Sequence, residues 1–362
     1  MIAALLAISA ACTPAPWPLW EQFRTHFIES GRVVDATSDR RTTSEAQAYA
    51  MFFALAAGDR TTFDALLDWT QKQLARGDLS QRLPSWHWDE SRNAVVDENS
   101  ASDADLWLAY DLLEAARIWN SPAYDRLARS LFASVSAKEI VEVPGLGTML
   151  LPGPVGFLLE NGHAVRLNPS YLAPQLLRRA ATAKLPGHWK ELERNSERLL
   201  AAAMPNGFAP DWIVWRDGAV AVDAERGSLG SFDAIRIYLW AAMLDAHDPL
   251  RARLLKFDAP VLALARARGA LPEQIDAQQP QRAHGRAPPG FLAALLPDAN
   301  ARGSEQLAIL RAQLDATLAD GLYGRPPTYY DQVLALFGAG FVEHRFRFDR
   351  DGKVVPGCSG GR

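Results

Sequence analysis

Apolar side chains recur at three- and four-residue spacing along almost the whole of this chain, and that repetition constrains the fold more than any other feature. The spacing predicts about twelve helices, over residues 17–29, 44–57, 61–75, 103–119, 123–135, 170–181, 189–203, 232–245, 250–268, 290–296, 305–319 and 329–337. Shorter strand-like pieces lie between them, at 86–96, 141–151, 157–166, 212–222 and 345–355. Several contain turn residues, such as Arg216-Asp217-Gly218 and Asp349-Arg350-Asp351-Gly352, and read as hairpins. No linker, short repeat or low-complexity tract divides the chain. With 362 residues, 48% of them hydrophobic and 22% charged, a large core can be buried.

The second, fourth, sixth, eighth, tenth and twelfth segments start near Ser44, Asp103, Ser170, Phe232, Gly290 and Tyr329. A chain that runs up and down makes these six mutually parallel. Six parallel helices wrapped by six antiparallel ones form an (α/α)6 barrel, an all-α architecture with short β-hairpins in its connections. The consequence is chemical. The starts of the inner helices gather at one end, so residues remote in sequence meet there.

Three of those starts carry acids: Glu45, Asp103 and Asp233. Each alone is well explained by helix capping. Thr42-x-x-Glu45 and Ser102-x-x-Asp105 fit capping boxes, and the helix dipole favours acids in a first turn. The coincidence of three acids on one alternate set weakens that reading. Asp105 lies two positions from Asp103, on nearly the opposite side of the helix, and reads as a cap residue. Glycoside cleavage needs such a set: a protonated carboxylic acid to donate to the leaving oxygen, and a second carboxylate across the ring. Because a helix start favours the charged form, Glu45 would need partial desolvation or a nearby like charge to keep a proton. Asp103 can supply that charge.

The run Ala101-Ser102-Asp103-Ala104-Asp105-x-x-Leu108-Ala109-x-x-Leu112-Leu113-x-Ala115-x-x-x-Trp119 resembles the signature of glycoside hydrolase family 8. Thr43-Ser44-Glu45-Ala46-Gln47-Ala48-Tyr49-Ala50-Met51 is similar to that family's acid-bearing helix. The resemblance continues through Val143-Pro144-Gly145-Leu146-Gly147, Asn168-Pro169-Ser170-Tyr171, Ser231-Phe232-Asp233-Ala234-Ile235-Arg236-Ile237-Tyr238 and His344-Arg345-Phe346-Arg347-Phe348, nearly the whole chain. It implies an (α/α)6 barrel and endo-acting hydrolysis of β-1,4-glucan with inversion at the anomeric carbon. It further implies Glu45 as general acid, Asp233 as general base, and Asp103 holding the sugar and tuning the acid. Inversion requires the two carboxyl groups to stand about 6.5–9.5 Å apart, retention about 5 Å. The resemblance also implies a periplasmic or secreted location and a cellulose synthase complex as partner. Leu108, Asp111 and Phe232 depart from the family's usual residues, but no carboxylate is lost.

Arg236 falls three residues after Asp233, on one helical face, where it can orient that carboxylate. Tyr171 either bonds the attacking water or sugar, or is a buried tyrosine with a satisfied hydroxyl. Eleven tryptophans suit a groove that stacks on sugar faces, with Trp88 and Trp107 the expected subsite residues, although a Trp is more often core than platform.

Other chemistries find little footing. The net charge of −4 argues against a nucleic-acid binder. The histidines show no HxxxH spacing for a metal, no glycine-rich phosphate loop follows a strand, and no Gly-x-Ser-x-Gly elbow occurs. No metal or cofactor is expected, and no segment beyond the N-terminus is long and apolar enough to span a membrane. Residues 1–11 read as a signal peptide, though no Lys or Arg precedes the apolar run, leaving residues 12–362 as one barrel domain. Cys12 and Cys358 are the two cysteines. In an oxidising compartment they can form a disulfide; lipidation of Cys12 and two free thiols are the alternatives. A xylanase, chitosanase or polysaccharide lyase on the same barrel, or a non-catalytic glucan-binding protein, are the competing functions.

Overall fold

The computed structural model describes residues 15–303 and 305–358. The signal-peptide stretch and Cys12, one half of the candidate disulfide with Cys358, lie outside the described residues.

The helices are α1 (Pro18–Phe27), α2 (Ser44–Ala56), α3 (Arg60–Trp69), α4 (Ser102–Ile118), α5 (Pro122–Lys138), α6 (Pro174–Thr182), α7 (Trp189–Ala203), α8 (Ala234–Ala242), α9 (Pro249–Arg268), α10 (Pro289–Ala294), α11 (Leu296–Ala301), α12 (Gln306–Asp315) and α13 (Tyr329–Val342). They divide by burial. In α8 every residue is buried, in α4 every residue from Ser102 to Ala115, and in α2 every residue except Glu45. By contrast α5 buries a stripe, Tyr124, Ala128, Leu131, Phe132 and Val135, and α7 buries Trp189, Leu192, Asn195, Ser196, Leu199, Leu200 and Ala203. A helix buried all round is surrounded by others, and a striped one has a wet face. The contacts agree. An inner ring closes in the order α2, α4, α6, α8, α10, α13 and back to α2. Outside it α3 backs α2, α5 backs α4, α7 backs α6, α9 backs α8, α12 backs α10 and α11, and α1 backs α13. This is the (α/α)6 barrel.

Close packing needs small residues where inner helices touch. A Cβ added to Gly338 of α13 would stand 1.9 Å from the Ala293 carbonyl oxygen of α10, so only glycine fits there. The barrel axis is filled by aromatic rings from four inner helices. Trp107 sits among Tyr49, Phe52, Tyr110, Trp240 and Phe337, with ring centroids 5.1–5.9 Å away.

Three expected helices carry breaks that the periodicity does not show. The sixth splits into a 3-10 turn, Pro169–Tyr171, and α6, because Pro174 holds Ala173 extended. The tenth extends further and breaks at Leu295 into α10 and α11, with Pro297 in the first turn of the second piece. The third ends in a π-turn over Thr70–Leu74, where the side chain of Gln47 on α2 inserts and bonds Leu66 O (3.3 Å) and Thr70 Oγ1 (3.0 Å). The expected hairpins form, and a strand comes before three of the inner helices: Thr42–Thr43 directly before α2, Ala94–Asp97 a short loop before α4 and Leu229–Gly230 a short loop before α8. Thr42–Thr43 pairs antiparallel with His87–Asp89. Strands Ile213–Arg216 and Ala164–Leu167 pair within a four-stranded antiparallel sheet. This β-structure frames the end where inner helices begin. Among the described residues no helix is long and apolar enough to cross a membrane.

Candidate active site

Each acid reaches the site because something else caps its helix or because capping leaves an oxygen over. On α2 the cap is Thr43, whose hydroxyl accepts from Ala46 N (3.1 Å). The expected box from Thr42 therefore does not form. Thr42 instead donates its hydroxyl to Val33 O (2.6 Å), and Glu45 is free to turn inward. On α4 the cap position is Ala101, with no side-chain bond, so the Ser102–Asp105 box is also absent. Asp103 accepts its own helix's Ala104 N–H on one oxygen (2.8 Å) and keeps the other for the site. Asp233 occupies the cap position of α8 without capping it.

These side chains converge on one guanidinium. Nη1 of Arg236 donates to Glu45, to Tyr49 Oη (2.8 Å) and to Asp103 Oδ2 (3.0 Å). Nη2 donates to Asp233 Oδ1 (2.5 Å) and Ser170 Oγ (3.0 Å). The expected pairing of Arg236 with Asp233 is present, and two further carboxylates join it. The Tyr171 ring lies under the guanidinium, 5.6 Å from its central carbon. Tyr329 Oη donates to Glu45 Oε1 (3.3 Å). Thus α2, α4, α8, α13 and the turn before α6 each contribute.

Exposure sorts the cluster into floor and working edge. The side chains of Arg236 and Asp103 are 2% and 4% exposed, those of Glu45 and Asp233 are 23% and 27%. Three carboxylates share one fixed positive charge, an imbalance that protons relieve. Burial pushes Asp103 up to about 7, with Arg236 opposing and Glu45 adding to the rise. Burial also raises the hydroxyls of Tyr49, Tyr171, Tyr329 and Tyr330 well above the usual phenol range, so they remain donors.

The expected aromatic platforms are elsewhere. Trp88 is buried, edge-on to Trp69 (5.5 Å) with Arg32 over its ring. Trp107 is the barrel-axis residue described above. Neither offers a face to solvent, so both are corrected to core. Alternation along a strand gives two faces without saying which is wet. The aromatics beside the carboxylates are others. Phe232 is 47% exposed and packs on Phe291 and Tyr330, and Tyr330 Oη donates to the Phe232 carbonyl (2.7 Å). Trp212 meets Tyr171 edge-on at 6.2 Å and stacks on Phe157.

Two acids were misread or missed. Asp105 is a buried group, packed against Glu139 at the end of α5, where Ser100 Oγ donates to Glu139 Oε1 (2.6 Å). Asp211 went unnoticed because it sits in a loop with no periodicity, yet its Oδ1 accepts from Ser231 N (2.8 Å), Asp233 N (3.1 Å) and Ala234 N (2.7 Å).

The family model for Glycosyl hydrolases family 8 matches residues 1–344. An endoglucanase of Escherichia coli strain K12 is 42% identical over 362 residues, covering 98% of this chain and 94% of the relative. One from Xanthomonas axonopodis pv. citri is 44% identical over 363 residues, with the same coverage. The crystal structure of an endo-1,4-D-glucanase from Vibrio fischeri ES114 superposes with a TM-score of 0.88 at 41% identity, covering 94% of this chain and 99% of that one.

Proposed function

This chain belongs to family 8 of the glycosyl hydrolases, and from that premise we propose that it is an endoglucanase that cleaves β-1,4-glucan with inversion, using Glu45 as acid and Asp233 as base. The observation that carries this reading is the sharing of Arg236. Glu45 and Asp233, from helices remote in sequence, bond different nitrogens of one buried guanidinium, and both keep an edge in solvent.

In this mechanism a glucan chain lies across the end of the barrel, an apolar sugar face against the exposed Phe232 ring. A sugar over Glu45 removes water from it, and a desolvated carboxyl favours its neutral form. Glu45 gives its proton to the glycosidic oxygen as the bond to the anomeric carbon breaks. A water on the opposite face forms the new bond, and its proton passes to Asp233. Exchange with solvent returns Asp233 to carboxylate and Glu45 to acid. Asp103, buried beneath Glu45, contributes a polar contact to the sugar and, when ionised, a like charge to the acid. The relatives' printed activities support the substrate class: endoglucanase, and endo-1,4-D-glucanase for the solved structure. The periplasmic or secreted location is proposed from the apolar N-terminal run, and a role beside cellulose synthase from the family resemblance.

The test is NMR of the first product from a soluble β-1,4-glucan, with xylan and chitosan in parallel. The expected result is glucan cleavage giving the α-anomer first, slowed about a thousandfold in Glu45→Gln. A β-anomer would overturn inversion. Faster turnover of xylan or chitosan would reassign the substrate, and binding without turnover would leave a glucan-binding protein.

A further inference from the structure

Among the described residues three aspartates occupy helix N-cap positions, and one behaves differently. Asp59 caps α3 by accepting from Thr62 N (3.0 Å), and Asp248 caps α9 by accepting from Leu250 N (2.8 Å). That is what a cap aspartate ordinarily does, because its oxygen satisfies a backbone N–H the helix leaves open. Asp233 makes no such bond. The open N–H groups at the start of α8, including its own, point at Asp211 instead.

We propose that Asp211 is a positioning residue for the base: it caps α8 from outside, so that the Asp233 carboxylate is released from capping and held toward the cleft. The proposal rests on the reading of Asp233 as base. An Asp233 side chain turned back onto its own helix would point away from Arg236 and from any water over the sugar. With Asp211 in place, those backbone donors are already satisfied, and the Asp233 carboxylate is left for Arg236 Nη2.

The loop carrying Asp211 is built for this contact. Asp211 N donates to Leu229 O (2.8 Å), and Ala209 N donates to Tyr238 Oη, one turn into α8, at 2.8 Å. A Cβ on Gly230 would lie 1.9 Å from the Ala209 carbonyl oxygen, so only glycine lets the loop approach this closely. The titratable groups facing Asp211 are Asp233 and Tyr238 from α8 and Tyr330 from α13, while Glu273 lies in the segment whose carbonyl receives Ser231 Oγ. Burial, with the like charge of Asp233, raises Asp211 to about 6 against its three backbone donors. A protonated Asp211 is a poorer acceptor, so the cap weakens as pH falls through that value.

The experiment compares Asp211→Ala and Asp211→Asn with the wild type on a soluble β-1,4-glucan across pH 4–9, with melting temperatures alongside. Asp211→Ala is expected to lose about 100-fold in kcat with little change in KM, as for a displaced catalytic group. Asp211→Asn keeps an acceptor oxygen that does not titrate. It is expected to retain most of kcat at pH 7 and to move the acid limb of the pH profile about one unit lower. Wild-type kcat in a folded Asp211→Ala, or an unmoved acid limb in Asp211→Asn, would overturn the proposal. A wild type that turns over none of the polysaccharides would overturn the enzymatic reading, and this proposal with it.

Discussion

Asp103 and Asp105 stand two residues apart on the first turn of one helix, have the same side chain and are both buried, yet they enter opposite worlds. Asp103 faces the barrel axis and meets Arg236 at 3.0 Å, with Glu45 on the same nitrogen. Asp105 faces the outer ring and meets another buried carboxyl, Glu139, whose charged neighbour along the chain is Lys138. Burial raises both acids. At Asp103 the guanidinium holds the cluster partly ionised and the edge opens to solvent. At Asp105 two carboxyls sit together away from water, and a proton between them is the way to keep them there. Neighbours one helix away, more than residue type or position, decide whether a buried acid becomes reagent or rivet.

The sharpest way to break this comparison is at the cleft. Glu45→Gln should lower kcat by about a thousandfold, the loss expected for a general acid, while thermal unfolding changes little. Reducing-end release from a soluble glucan checks the first and calorimetry the second. An equivalent loss in Asp105→Asn would erase the distinction between reagent and rivet.

Removing the cation should make the first cluster resemble the second. Arg236→Met leaves three carboxylates facing one another, and stripping one partner from buried ion pairs costs about 3–5 kcal/mol. The loss should be larger at pH 8 than at pH 5, since protonation relieves the repulsion. Denaturant unfolding at both values measures it. A loss independent of pH would mean that Arg236 acts through packing alone.

The smallest effect belongs to the rivet and concerns its pH dependence. Glu139 is raised to about 7 and Asp105 well above its ordinary range, both chiefly by burial. Between the ordinary carboxylate range and the folded-state values, the folded protein holds more protons than the unfolded chain, so stability falls as pH rises through that window. Glu139→Gln should remove part of this slope, on the order of 2 kcal/mol between pH 5 and 8. Asp103, also raised to about 7, leaves a residual slope of the same sign. Melting temperatures across that range give the comparison, and a slope unchanged by Glu139→Gln would refute the shared proton.

Much of the site is legible in the sequence. Inner and outer helices differ in apolar content around their circumference, and Glu45, Asp103 and Asp233 open alternate helices. Arg236 was found as the partner of Asp233 because three residues make one helical turn. Its reach to Glu45 and Asp103 depends on ring closure, which no local pattern carries. The same holds for the aromatics. Trp88 and Trp107 lie where a groove was expected, but which side of a strand or helix faces water is fixed by what packs on the other side. Phe232 is the exposed ring beside the carboxylates instead, with Trp212 half-buried near it.

The sequence by itself determined the order of helices, their approximate bounds and which acids begin them, because helical periodicity and cap chemistry act over a few residues. The tertiary structure alone decided which acid faces Arg236, which is buried beside Glu139, and that a loop aspartate caps α8. Those outcomes depend on solvation and on charges brought near by chain closure, and neither is written in the spacing of neighbours along the chain.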